Sequence, residues 1–126
     1  MSVLVDPQGP LYHVTINRPD RANALNSETI SALRVAVESA DEHPEARVIV
    51  LTGAGERSFV SGADIQELAA LNVATGEVFI RNLHKSLSAI RAQPLPVIAA
   101  VNGFALGAGL ELVMACDIAI AVEHAT

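Results

Sequence analysis

The sequence is poor in cysteine and in aromatic residues: it contains one cysteine, four histidines and no tryptophan. The lone cysteine, Cys116, cannot form a disulfide within the chain. None of the histidines has another histidine or a cysteine at the spacing of a metal-ligand pair. These absences exclude a disulfide framework and predict that the chain holds no metal site.

Positive charge is scarce as well. Eight lysines and arginines stand against fourteen aspartates and glutamates, which gives a net charge of −6, and the basic residues form no cluster. A protein that follows a phosphate backbone needs a concentration of positive charge. We therefore expect no nucleic-acid partner.

Signals for a membrane or for secretion are missing too. The uncharged stretch at residues 92–110 is about as long as a membrane span, but its prolines and glycines would interrupt a lipid-facing helix. The first residues lack the basic and long apolar regions of a secretory signal. We expect a cytoplasmic protein with no membrane partner, in which this stretch belongs to the buried core.

What the sequence does contain is apolar. It has 126 residues, of which 51% are hydrophobic, as expected for one compact domain. Two β-rich runs flank a turn-rich segment at residues 6–10 and predict a β-hairpin. The predicted strands are residues 3–5, 12–16, 48–51, 97–101 and 118–122.

Helices are predicted between these strands from caps and from apolar spacing. They are a helix capped by Asn26 or Ser27 and stopped by His43-Pro44, a short helix capped by Asp64, a longer one with an apolar stripe at residues 79–90, and one from Gly107 to Cys116. The order β, β, α, β, α, α, β, α, β predicts an α/β domain with repeated crossovers. Thr126 directly follows a core-like strand, so we expect either an abrupt end or part of a longer fold.

Two glycine-rich turns carry the chemical information. Ser61-Gly62-Ala63-Asp64 precedes one predicted helix, and Gly107-Ala108-Gly109 opens another. The first N–H groups of a helix have no intrahelical acceptor and lie at the positive end of its dipole. Two such donors that converge would hold one carbonyl oxygen and form an oxyanion hole, for which small residues at Ala63 and Ala108 leave room. The alternative is that each turn is only the entry to a helix.

Glu111 is the one acidic residue between Glu77 and Asp117, and it lies about one turn into the last predicted helix. It is either a favourable charge near a helix N-terminus or a partly desolvated carboxylate suited to acid–base chemistry. The residues alone favour the first interpretation. They also predict a local cap or turn acceptor at Asp117 and packing roles for Cys116 and Met114.

Several of these segments, in order along essentially the whole chain, resemble the crotonase, or enoyl-CoA hydratase/isomerase, superfamily. They are Ile16-Asn17-Arg18-Pro19, Asn23-Ala24-Leu25-Asn26, Val48-Ile49-Val50-Leu51-Thr52-Gly53, Phe59-Val60-Ser61-Gly62-Ala63-Asp64-Ile65-Gln66-Glu67-Leu68, residues 94–100, and residues 101–112 through Cys116-Asp117-Ile118. The resemblance implies an α/β spiral of repeated ββα units. Residues 1–126 would then be the N-terminal portion of a single crotonase-like domain, apparently truncated.

The resemblance also implies an enoyl-CoA hydratase-type enzyme, which adds water across the 2,3 double bond of an enoyl-CoA thioester, as in fatty-acid β-oxidation. The N–H groups of Ala63 and Ala108 would polarise the thioester carbonyl, and Glu111 would be the first of two catalytic glutamates. The second would fall beyond Thr126. Substrate-binding residues would be Arg21, Ala22, Ala24, Leu25, Ser61, Ala63, Asp64, Ile65, Gln66, Gly107 and Ala108.

Two positions depart from the pattern of this superfamily, whose members often have glycine in place of Ala108 and lysine in place of Gln66. No cofactor is implied beyond coenzyme A, which is part of the substrate, and a full-length chain would form a homotrimer or hexamer. Two alternatives stay open: another crotonase-fold CoA enzyme, such as an isomerase, thioesterase or decarboxylase, or a non-catalytic remnant that binds a CoA ester.

Overall fold

Two sheets and four α-helices make up residues 1–125, the part of the chain that the computed structural model describes. The strands are β1 (Val3–Gln8), β2 (Leu11–Ile16), β3 (Val48–Gly53), β4 (Ser58–Val60), β5 (Val97–Val101), β6 (Phe104–Ala105) and β7 (Ile118–Ala121). The helices are α1 (Ser27–Glu38), α2 (Ile65–Ala69), α3 (Val73–Ala92) and α4 (Ala108–Ala115). The mixed α/β class expected from the sequence is confirmed.

The larger sheet has the strand order β1-β2-β3-β5-β7. β1 and β2 form the expected antiparallel hairpin, and the other neighbours are parallel. β1 runs on to Gln8, beyond the predicted limit, with Pro7 opposite Tyr12. Proline is tolerated there because β1 is an edge strand.

The smaller sheet consists of β4 and β6, which pair in parallel. The sequence did not predict these strands, since two or three residues carry no periodic pattern. With them the chain shows two successive ββα units, β3-β4-α2 and β5-β6-α4. The first strands of the two units pair in the larger sheet, and the second strands form the smaller one.

The helices begin where caps were expected. The Asn26 side chain accepts from the Thr29 N–H at the start of α1, and the Asp64 side chain accepts from the Glu67 N–H at the start of α2. α1 ends at Glu38 and a 3-10 turn carries the chain on to Glu42, close to the predicted stop. α3 begins with a capping box between Asn72 and Thr75 that the sequence analysis missed.

The core lies between the larger sheet and the helices. Its largest members are fully buried and include Tyr12, Phe59 and Phe79. The Tyr12 hydroxyl donates to the Ala36 carbonyl, which ties β2 to α1. The Ser86 hydroxyl donates to the Ile30 carbonyl, which ties α3 to α1. Both polar groups are therefore satisfied inside the apolar core.

The last strand differs from its prediction. β7 was expected to be a core strand, yet all four of its residues are exposed, with Ile118 at 52% and Ile120 at 63%. β7 pairs with β5 on one side only, so it forms the edge of the sheet among residues 1–125. Apolar composition alone could not reveal that this strand lacks a covering layer there.

Asp117 and Cys116 precede β7. The expectation of a local cap or turn acceptor at Asp117 was wrong: its carboxylate accepts from the distant Val97 N–H at 2.8 Å and joins the start of β7 to the start of β5. Cys116 packs against the core, and burial, aided by the Asp117 charge, raises the pKa of its thiol to about 12. The packing role predicted for Cys116 is consistent with this environment, because the thiolate is strongly disfavoured. The packing role predicted for Met114 was wrong for residues 1–125, since this residue is 71% exposed.

Candidate active site

The two glycine turns meet because β4 and β6 run side by side. Ser58 pairs with Phe104, and Val60 pairs with Ala105. The Leu106 N–H then donates to the Val60 carbonyl at 3.1 Å. Since parallel strands end at the same edge, the turns that follow β4 and β6 lie together.

Gly62 and Gly107 leave little space between these turns. A Cβ placed on Gly107 would lie 3.9 Å from the Gly62 Cα, and one on Gly62 would lie 3.5 Å from the Leu106 carbonyl oxygen. Both glycines have positive φ, 131° at Gly62 and 53° at Gly107. Glycine reaches such angles at little cost, so both turns depend on it.

Each glycine is followed by a small residue with a free backbone donor. Within residues 1–125, no carbonyl or side-chain oxygen accepts from the N–H of Ala63 or of Ala108. Ala108 is the first residue of α4, where an N–H has no partner inside the helix. Two backbone N–H groups without a partner in this range therefore lie in neighbouring turns at one edge of the smaller sheet.

The backbone on both sides of Ala63 is held by Leu25. The Leu25 N–H donates to the Gly62 carbonyl, and the Asp64 N–H donates to the Leu25 carbonyl, each at 2.8 Å. This single parallel bridge fixes the peptide groups that flank Ala63. The bridge does not use the N–H of Ala63, which can therefore donate to another group.

Asp64 is buried and its carboxylate is fully engaged. One oxygen accepts from the Glu67 N–H at 3.1 Å, and the other lies 3.1 Å from Nη2 of Arg18. The bond from Glu67, followed by the bond and charge of Arg18, lowers the pKa of Asp64 although burial opposes this. Asp64 is therefore an anion with structural partners.

A groove of about 420 Å³ opens beside Ala63. It is lined by Arg21, Ala22, Ala24, Ser61, Gly62, Ala63, Asp64, Ile65 and Gln66. The structure thus brings together eight residues that the sequence assigned to substrate binding, and it adds Gly62. Leu25 is fully buried behind the groove, and Gly107 and Ala108 lie outside its lining.

The groove walls differ in character. Arg21 is exposed and supplies positive charge, and Ile65 is 80% exposed and supplies an apolar surface. Gln66 is exposed and uncharged. These side chains can contact a ligand that carries both phosphate and apolar groups.

Glu111 lies in the first turn of α4, and its N–H donates to the Gly107 carbonyl at 3.1 Å. The residue is exposed. The partial desolvation considered for its carboxylate is therefore not supplied by residues 1–125. Its position beside the Ala108 donor still follows from their spacing on one helix.

Three residues that organise this region were not assigned a role from the sequence. Asn23, with φ of 55°, accepts from the Arg18 N–H and donates to the carbonyls of Ala54 and Ser58. Arg18 joins Ala24 to Asp64, and Glu67 accepts from the N–H and hydroxyl of Ser27. The tolerance of asparagine for positive φ was an available signal for Asn23. The other two contacts link distant segments and leave no local pattern.

Among residues 1–125, no three histidine, cysteine, aspartate or glutamate side chains lie close enough together to bind a metal ion. No helix in the same range combines the length and hydropathy needed to cross a bilayer.

Comparison with known proteins shows the same family throughout. The sequence model of the family described as enoyl-CoA hydratase/isomerase matches residues 7–126. The chain is 44% identical over 124 residues to a short-chain-enoyl-CoA hydratase of Clostridium acetobutylicum, covering 98% of this chain and 48% of that protein. It is 40% identical to a crotonyl-CoA hydratase of Syntrophomonas wolfei, with the same coverage.

Solved structures agree with the sequence matches. The crystal structure of an enoyl-CoA hydratase from Bacillus anthracis superposes with a TM-score of 0.95 at 36% identity, covering 99% of this chain and 49% of that one. An enoyl-CoA hydratase from Polaromonas gives a TM-score of 0.92, also at 36% identity, and covers 98% and 49% of the two chains. The chain therefore spans about half the length of the relatives it matches.

Proposed function

Because the chain belongs to the enoyl-CoA hydratase/isomerase family, we propose that it supplies the N-terminal half of an enzyme that hydrates enoyl-CoA thioesters. The reaction adds a hydroxyl to C3 and a proton to C2 of the 2,3 double bond. The hydroxyl and the proton both come from one water molecule. We also propose a role in fatty-acid β-oxidation, which this reaction supports, and a cytoplasmic location.

The observation that carries the proposal is the meeting of the two glycine turns, where the N–H groups of Ala63 and Ala108 have no partner among residues 1–125. Addition of water at C3 places negative charge on the thioester oxygen. Two fixed donors stabilise this charge more strongly than the neutral carbonyl, so they lower the barrier. The α4 dipole adds to the effect at Ala108.

Substrate binding is assigned to the groove beside Ala63. The Arg21 guanidinium is suited to the phosphates of coenzyme A, and the groove opens next to the proposed donor. Gln66 cannot provide the charge that a lysine would, so Arg21 carries more of the phosphate recognition. Coenzyme A enters as part of the substrate, and we propose no other cofactor.

Glu111 is assigned to proton transfer with water. It lies three residues after Ala108, in the first turn of the same helix, so carboxylate and donor are held by one rigid element. The exposure of Glu111 among residues 1–125 means that a further segment must enclose it for efficient catalysis. In the proposed enzyme this enclosure, the second glutamate and the contacts of a homotrimer or hexamer come from the second half.

Two other functions compete with hydration. An isomerase, thioesterase or decarboxylase of the same fold would use the same donors, and Glu111 favours hydration over isomerisation. A second candidate is a protein that binds a CoA ester without turnover. The exposed Glu111 and the half-length match to the relatives favour it for the 126-residue chain on its own.

The test begins with the 126-residue chain. Calorimetry should show that crotonyl-CoA binds more tightly than free coenzyme A, because only the thioester offers an oxygen to the donors. The same chain should hydrate crotonyl-CoA slowly or not at all, since one of two cooperating carboxylates is absent.

The decisive measurement uses residues 1–126 joined to the C-terminal half of the Clostridium acetobutylicum hydratase, a fusion that we name the extended protein. A folded extended protein should hydrate crotonyl-CoA, with the Glu111→Gln variant as its matched control. A 3-enoyl-CoA tests isomerisation in parallel. Isomerisation without hydration would reject the hydratase assignment, and binding without either reaction would favour the non-catalytic candidate.

A further inference from the structure

Arg18 connects the two segments that form the groove. Its Nη1 donates to the Ala24 carbonyl at 2.5 Å, and its Nη2 donates to the Asp64 carboxylate at 3.1 Å. Both charged side chains are shielded, with 16% of Arg18 and 10% of Asp64 exposed. Arg18 does not line the groove itself, so these contacts serve the protein and not a ligand.

The backbone bridge at Leu25 runs beside this ion pair. Ala24, which accepts from Arg18, precedes Leu25, and Asp64, which pairs with Arg18, follows Ala63. Any shift between the two segments therefore changes the Leu25 hydrogen bonds that hold the peptides around Ala63. The direction of the Ala63 N–H depends on this alignment.

Arg18 is itself anchored. Its backbone N–H donates to the Asn23 side chain at 2.9 Å, and Asn23 is fully buried with bonds to Ala54 and Ser58. The guanidinium presents two nitrogens in a rigid plane, so it can bond two groups at once with fixed geometry. A lysine offers a single nitrogen and cannot reproduce both directions.

We infer that Arg18 is a positioning residue, whose guanidinium clamps residues 24–25 against residues 62–64 and so sets the direction of the Ala63 N–H. The clamp stands on the contacts alone, whereas its consequence for a thioester rests on the proposed function. Arg18 touches no reacting atom. It acts through Asp64 and the Leu25 bridge.

Hydrogen exchange of the 126-residue chain, followed by NMR, tests the clamp. In Arg18→Gln, the Leu25 and Asp64 amides should exchange at least tenfold faster, while core amides such as that of Leu51 keep their rates. Arg18→Lys should fall between Arg18→Gln and the unsubstituted chain. Arg47→Gln is the matched control, because Arg47 also donates to two backbone carbonyls, those of Pro44 and Ala46, away from the groove.

Unchanged exchange at Leu25 and Asp64 in Arg18→Gln would overturn the inference, as would an equal acceleration of the Leu51 amide. If Arg18→Gln does not fold, Asp64→Asn provides the same test, since asparagine can still cap α2 while the ion pair is lost. It should accelerate exchange at Leu25. Wild-type rates there would again reject the clamp.

Infrared spectroscopy tests whether Arg18 also affects hydrogen bonding to a bound thioester. Crotonyl-CoA labelled with carbon-13 at its carbonyl is bound to the chain, and the infrared stretch of that carbonyl is recorded. Donation from Ala63 and Ala108 lowers its frequency, and the lowering should be smaller in Arg18→Gln at an equal fraction bound. An equal lowering in both proteins would contradict positioning of the donor by Arg18. No lowering in the unsubstituted chain would contradict the proposed function, and the exchange rates would still decide the clamp.

Discussion

Gly62 and Gly107 lie so close together that a Cβ added to Gly107 would be in van der Waals contact with the Gly62 Cα, at 3.9 Å. They occupy matching places in two successive ββα units, each after the second strand and before the helix. The proposed donors at Ala63 and Ala108 follow them directly. The fold thus creates a pair of donors by repeating one turn and pairing the strands that lead to it.

Gly109, two residues after Gly107, is the subject of a prediction about stability. A Cβ there would lie 1.9 Å from the Val60 carbonyl oxygen, so α4 or β4 must move to admit a methyl group. We expect Gly109→Ala to lower the free energy of unfolding by about 1–3 kcal/mol, the range typical of overpacking. Urea unfolding of the 126-residue chain measures it.

Gly76→Ala is the matched control. Gly76 lies in α3, and a Cβ there would meet nothing within 4 Å. Alanine is the better helix former, so this variant should be more stable by up to about 1 kcal/mol. If both substitutions change the free energy of unfolding equally, the close approach of α4 to Val60 does not restrict the side chain at position 109.

A second prediction concerns pH. The pKa of Asp64 lies below its ordinary value because of the Glu67 N–H and Arg18. A carboxyl with a lowered folded pKa adds stability that is fully present above its unfolded pKa, about 3.9, and is lost as pH falls through the folded value. Asp64→Asn should therefore cost most stability near neutral pH and progressively less in acid.

Unfolding of the unsubstituted chain and of Asp64→Asn, compared by urea titration from pH 7 to pH 3, measures this difference. Asn retains the cap, so the pH-dependent part isolates the charge. If the difference in unfolding free energy between the two proteins stays constant over this range, the substitution acts through the shape of the side chain and not through its charge.

The sequence predicted those parts of the fold that leave a local signature. Asn26 and Asp64 are caps with a side-chain acceptor before an apolar pattern, and both helices begin there. The strands β4 and β6 were missed because two or three residues have no period. The exposure of β7 was missed because the apolar composition of a strand does not indicate whether another layer covers its faces.

The residues of the candidate site also fall into two groups, those that the sequence could indicate and those that it could not. Ala63 and Ala108 could be singled out because glycine, small residue and helix start occur together in the sequence. The roles of Arg18 and Glu67 could not, since each side chain reaches a segment about 40 or more residues away in the chain. Such contacts depend on the tertiary fold, which brings those segments together.

A third prediction addresses Glu111 in the extended protein. Glutamine keeps the shape of the side chain but cannot exchange a proton, so Glu111→Gln should lower kcat strongly and leave KM for crotonyl-CoA within a few-fold. Steady-state kinetics measures both constants. A large rise in KM with an unchanged kcat would instead make Glu111 a structural residue of α4.

The last prediction separates the main chain of Ala108 from its side chain. Ala108→Gly keeps the N–H and should have a mild effect on the extended protein. Ala108→Pro removes the N–H and should cost on the order of 3 kcal/mol in transition-state stabilisation, the scale for losing one oxyanion donor. Because Ala108 is the first residue of α4, where proline is tolerated, the helix has a physical basis for surviving the change. Circular dichroism must show that Ala108→Pro is folded before its kcat/KM is compared with that of Ala108→Gly. A folded proline variant with unimpaired kcat/KM would falsify the assignment of this N–H to the thioester oxygen.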